Sequence, residues 1–154
     1  MMVPERVIHV TIVSLGDKYY KTYHAFNEMT KRSKKPWRFY DVRDKLTRDP
    51  STGGIGHKED GSWRHTQTSV IAQEGFPAVI ESLVRSVVKD KIYAQALCCT
   101  QGVHRANTSA RFLENILNSM ICEDEDGLYR FSAKHFPLGT AYGKQDSGGS
   151  ESTS

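Results

Sequence analysis

The sequence predicts an α/β fold: three layers, with a mostly parallel sheet carrying helices on both faces. Short, mostly apolar runs recur along the chain, at residues 7–15, 37–42 and 92–98. Between them lie stretches whose apolar residues repeat at helical spacing, the clearest beginning at Phe76. Glycine and proline punctuate the joins. Strands that alternate with helices pack as layers around a parallel sheet.

Residues 7–15 (VIHVTIVSL) are mostly apolar and β-branched, and Gly16 stops the run; this suits a buried strand. Residues 20–32 predict a helix, carried by Tyr23, Phe26 and Met29. Pro36 leads into a second strand at 37–42 (WRFYDV). Residues 43–63 hold no period and are rich in Gly, Ser and Thr, as a long functional or disordered loop would be. A short helix is expected at 66–73, ending at Gly75. Pro77 suits the first turn of the next helix, whose stripe is Phe76, Val79, Ile80, Leu83, Val84, Val87 and Val88.

A strand at 92–98 (IYAQALC) follows, then a helix from about His104 to Met120 that buries Leu113, Ile116, Leu117 and Met120. The acidic run at 123–126 (EDED) reads as a solvated turn, and 128–136 (LYRFSAKHF) as a last strand. Residues 1–142 are expected to form one domain. The tail at 143–154 is small and polar and is expected to be disordered.

Composition narrows the class. The chain has 154 residues and is 38% hydrophobic, enough for a core without staples. A formal charge of +3 is mildly basic and does not by itself imply nucleic acid. Three cysteines, Cys98, Cys99 and Cys122, do not make a disulfide framework. The start, MMVPERVIHV, lacks the apolar core of a signal peptide, and no apolar run is long enough for a bilayer. A cytoplasmic protein with free thiols and no membrane partner is expected.

Chemistry concentrates in residues 98–107, CCTQGVHRAN. A strand, a tight loop and a helix start make an anion cradle, because loop N–H groups converge where the helix adds unpaired donors and its positive dipole end. Thr100, Gln101, Gly102, Val103, His104 and Arg105 are the predicted phosphate-binding residues. Gly102 lets the backbone curl, and Arg105 offers a two-pronged contact to phosphate. Arg43, at the end of the 37–42 strand, is a second expected contact, competing with a salt bridge to Asp41 or Asp44. Thr52, Gly53 and His57, in the long loop, are placed to fold over a ligand.

The spacing Cys99-x-x-Gly102-x-x-Arg105 resembles the phosphate loop of cysteine-dependent phosphatases, in which a thiolate attacks phosphorus. That resemblance implies Cys99 as nucleophile, Arg105 as clamp and Asp41 as a candidate acid. It departs from the family at Cys98, where those enzymes usually carry His, and at Ala106, where they usually carry Ser or Thr.

A wider resemblance joins four segments in order. CTQGVHR (99–105) is similar to the CTGGxHR signature of the C-terminal domain of the RNase adapter protein RapZ. VTIVSLGDKY (10–19), FYDVRDKLTRDPSTGG (39–54) and RFSAKHF (130–136) are similar to that family's first strand and turn, its F-D-V-R loop, and its last strand. The resemblance implies a phosphofructokinase-like, doubly wound domain. It also implies a non-catalytic sensor of a phosphorylated small molecule, of the amino-sugar phosphate kind, with an RNA-adapter role. The P-loop domain that precedes this one in those proteins has no counterpart in residues 1–154, so ATP and GTP are not carried over and no cofactor is expected.

Two further clusters have plain readings beside functional ones. Lys31, Arg32, Lys34, Lys35 and Arg38, with Trp37 interleaved, are the residues that would meet RNA phosphates; a solvated helix end explains them equally. His57, His65, His104 and His135 have no metal-ligand spacing, so no metal is expected.

Overall fold

A computed structural model of the chain describes residues 6–16, 20–46, 64–100 and 104–138. Among the described residues five strands form one sheet: β1 (Arg6–Gly16), β2 (Arg38–Asp41), β3 (Ala94–Cys99), β4 (Ile121–Asp124) and β5 (Gly127–Pro137), in the order β2-β3-β1-β5-β4. β1 lies parallel to both β3 and β5, and β2 parallel to β3; only β4 runs antiparallel, against β5. The described residues also hold four α-helices: α1 (Tyr20–Arg32), α2 (Arg64–Ile71), α3 (Phe76–Val88) and α4 (Arg105–Asn118). This is the expected α/β class with a mostly parallel sheet.

Side-chain alternation divides the core in two. Val10 and Ile12 of β1, Leu97 and Cys99 of β3, and Phe131 and Ala133 of β5 point to one face, where α2, α3 and α4 supply Val70, Val79, Leu83, Ala110, Leu113 and Leu117. Val13 and Leu15 of β1, with Ala96 and Cys98 of β3, point to the other face, where α1 supplies Phe26. Helices therefore cover both faces. The two adjacent cysteines point to opposite sides of the sheet, and all three cysteines are free thiols.

Several boundaries differ from the sequence reading. The second strand stops at Asp41, because Val42–Asp44 turns into a 3-10 helix whose N-cap, Asp41, accepts the Arg43 backbone N–H. The third strand starts two residues later than expected and runs on to Cys99. The short helix lies earlier, at Arg64–Ile71. Residues 121–124, expected in part as a solvated turn, pair with β5 as the hairpin strand β4; only Glu125 and Asp126 turn, and Gly127 takes a φ of 110°. An edge strand with charged exposed positions carries no apolar alternation to announce it.

β4 covers only the start of β5, with Ile121 opposite Arg130. Beyond that point α4 takes over the bare edge. Asn118 Nδ2 donates to the Ala133 carbonyl at 3.0 Å, and its Oδ1 accepts the Ala133 N–H at 2.7 Å. The amide side chain thus stands in for a missing peptide. Glu114 Oε2 does the same for the His135 N–H at 2.9 Å. Gly75, before α3, is a place of close backbone approach: a Cβ there would lie 2.4 Å from the Lys45 carbonyl oxygen. Among the described residues no helix is long and apolar enough to cross a membrane.

Candidate functional site

The parallel strands end together. Gly16 of β1 pairs with Cys99 of β3, and Asp41 of β2 pairs with Cys98, so the last residues of β1, β2 and β3 share one edge of the sheet. In open α/β sheets this carboxyl edge is where ligands bind. Thr100 follows β3 there, and α4 begins at Arg105 with His104 as its cap residue. His104 makes no side-chain cap bond and is buried, and Arg105 is only 6% exposed.

Two arginines from separate elements converge on Thr100. Arg105 Nη1 donates to the Leu46 carbonyl at 2.9 Å, and its Nη2 lies 3.5 Å from Thr100 Oγ1. Arg43 Nη1 approaches the same oxygen at 3.4 Å. Both approaches to Thr100 are at the long end of hydrogen bonding, so what they bring together is mainly charge. Arg43 also forks Asp41, Nε to Oδ1 at 2.9 Å and Nη2 to Oδ2 at 2.7 Å. The salt bridge and the expected contact at the neighbouring loop therefore coexist in one side chain. Arg43, foremost through its side-chain hydrogen bond, holds the Asp41 carboxyl below its usual range; burial opposes this, and the charge of Arg105 adds to it. Among the described residues, two guanidiniums and one carboxylate meet in this cluster.

Cys99 ends β3 beneath the site. Its Sγ accepts the Ala106 backbone N–H at 3.4 Å. The thiol is 2% exposed and belongs to the apolar core. Behind Arg105, the hydroxyls of Thr108 and Ser109 are buried and have no hydrogen-bond partner among the described residues. Ser109 follows Arg105 by four positions, one helical turn along the same stripe. The sequence reading passed over these two; their signal is the small polar run Asn107–Ser109 inside an otherwise apolar-faced helix.

Other predicted residues fall elsewhere. Gln101, Gly102, Val103, Thr52, Gly53 and His57 lie outside the described residues. Lys31, Arg32, Lys34 and Lys35 are exposed around the end of α1 and the approach to β2. That is the amino edge of the sheet, a strand length of roughly 13 Å from the arginine pair. Arg38 is committed to α3, donating to the Ser82 carbonyl and hydroxyl at 3.0 and 2.9 Å, and lies over the Tyr40 ring. His135 is on β5, with Nε2 2.7 Å from the buried Ser14 hydroxyl. Burial, with the charge of Arg111 adding, lowers its pKa from 6.5 to about 4. Compared with known proteins, the chain matches no family model, no curated protein and no solved structure.

Proposed function

We propose that this chain is a non-catalytic binding domain for a phosphorylated small molecule, held at the carboxyl edge of β3. One observation carries the reading: Arg43 and Arg105, from different elements, meet at Thr100 beside the first turn of α4. A phosphate there takes Thr100's place as the acceptor shared by the two guanidiniums and gains the helix dipole. The amino-sugar phosphates suggested by the RapZ-like segments head the ligand panel, with inorganic phosphate and sulfate as minimal ligands. The RapZ-like fold, a cytoplasmic setting and an RNA-adapter role through Lys31, Arg32, Lys34 and Lys35 are extensions of this proposal. The small-ligand reading does not depend on them.

Thermal shift and calorimetry against a phosphosugar panel test it. Wild-type protein is stabilised and Arg105→Ala is not. Equal binding by the variant, or no binding of any phosphorylated ligand, refutes it.

A cysteine-dependent phosphatase is the second reading, favoured by the Ala106 N–H on Cys99 Sγ. Two facts weigh against it. The sulfur is buried in the apolar core. Asp41 is held as a carboxylate by Arg43, and a carboxylate has no proton to give a leaving group. Turnover of an aryl phosphate that disappears in Cys99→Ser would reverse the order of the two readings.

A further inference from the structure

The two outer strands of the sheet are short and matched. β2 and β4 have four residues each, and among the described residues neither pairs on its outer side. Each also carries a large apolar side chain with exposed surface: Phe39 at 46%, its ring also packed 6.1 Å from that of Phe26, and Ile121 at 65%. Their charges are opposite. Exposed Lys31, Arg32, Lys34 and Lys35 lead into β2. Glu123 and Asp124 end β4, and Glu125 and Asp126 follow it, all exposed; Asp124 is already paired with Arg6, so Glu123, Glu125 and Asp126 carry the acidic end.

We propose that copies of this chain associate head to tail, β2 of one copy pairing antiparallel with β4 of the next. Direction supports this. Because β4 alone runs against the other strands, a copy displaced sideways in the plane of the sheet, without being turned over, presents its β4 antiparallel to β2. All other strands of the two copies then stay parallel, and their helix layers stay on the same sides. Antiparallel pairing sets the start of β2 against the end of β4, so the basic lead-in meets the acidic turn.

The faces agree as well. Phe39 pairs with Ala96, which belongs to the face covered by α1. Ile121 is opposite Arg130, one position from Tyr129 and Phe131, which belong to the other face, so Ile121 shares the α1 side with Phe39. Charges on edge strands ordinarily keep sheets apart. Here the unlike charges fall at the same end of the ladder and select this pairing. A contact between two different patches does not close on itself unless its rotation does, and strand twist makes the expected product an open chain of copies.

Sedimentation and light scattering on nuclease-treated protein test the proposal. The weight-average mass is expected to climb with concentration from micromolar to millimolar, beyond two chains. High salt is expected to weaken association about tenfold or more, as for exposed charges. Two charge-reversed variants make the test specific: Lys34→Glu with Lys35→Glu, and Glu123→Lys with Glu125→Lys. Each alone stays monomeric, because one of its two edges has lost its net charge and no longer attracts the other. An equimolar mixture regains association, because each restores the other's partner; recovery also shows that both are folded. A monomer at all concentrations, a mass that saturates at two chains, association that needs nucleic acid, or variants that associate alone as well as the wild type would each overturn it.

Discussion

His135 gives the sharpest stability prediction. The imidazole sits against buried Ser14, with Arg111 adding positive charge, and its pKa falls from 6.5 to about 4. The folded chain therefore holds it neutral at pH values where the unfolded chain protonates it. Where the unfolded state binds more protons, stability rises with pH. The contribution is fully present above about pH 6.5, is lost progressively between 6.5 and about 4, and falls no further below that. At about 1.4 kcal/mol per pH unit, the loss from pH 7 to pH 4.5 is about 2.5 kcal/mol. That is a large part of the 5–15 kcal/mol typical of a domain. Asp41 is a carboxylate held low, so its contribution is present above the ordinary carboxylate range and is lost only as pH falls below it. Urea denaturation at pH 7 and pH 4.5 on wild type and His135→Gln separates the two groups. The variant should lose about 2.5 kcal/mol less over that interval than the wild type does. Equal pH dependence in the two proteins would refute the assignment of a half-buried histidine held neutral by the fold.

Three other outcomes follow from particular contacts. Gly75→Ala puts a methyl against the Lys45 carbonyl, and backbone on both sides must shift. It should cost about 1–3 kcal/mol in chemical denaturation and weaken phosphate binding, because the same turn carries Arg43 and the Leu46 carbonyl that holds Arg105. Asn118→Ala strips the N–H and C=O of Ala133 of their partner at the bare edge of β5. Its cost should be about 1–3 kcal/mol, with hydrogen exchange at Ala133 accelerated more than at β3. Asp41→Asn frees Arg43 from its carboxylate fork, and calorimetry should find phosphate bound several-fold more tightly at low salt.

Much of the fold could be read from residue patterns because those patterns are local. The β-branched run of β1 and the apolar stripe of α3, with Gly75 and Pro77 marking its start, each specify one element without help from the rest of the chain. β4 escaped because a short, charged edge strand has no apolar alternation; the Asp126-Gly127 hairpin pair was its one signal. Asn118 and Glu114 as substitutes for a missing strand could not be read at all. Their role exists only once α4 lies against β5, and asparagine and glutamate on a helix otherwise read as solvated. At the site, Arg43 and Arg105 were legible from their places at a strand end and a helix start. Their meeting at Thr100 depends on β2 lying beside β3, which spacing along the chain does not encode. Thr108 and Ser109 were passed over because hydroxyls inside a helix ordinarily face water or bond the preceding turn.

The central claim is that Arg43, Arg105 and Thr100 make an anion site. A crystal structure of this protein grown in phosphate tests it most directly. A phosphate is expected within hydrogen-bond reach of both guanidiniums and beside the first turn of α4, and is expected to be lost in Arg105→Ala crystals. An empty site at high phosphate, with both arginines still turned to Thr100, would contradict it.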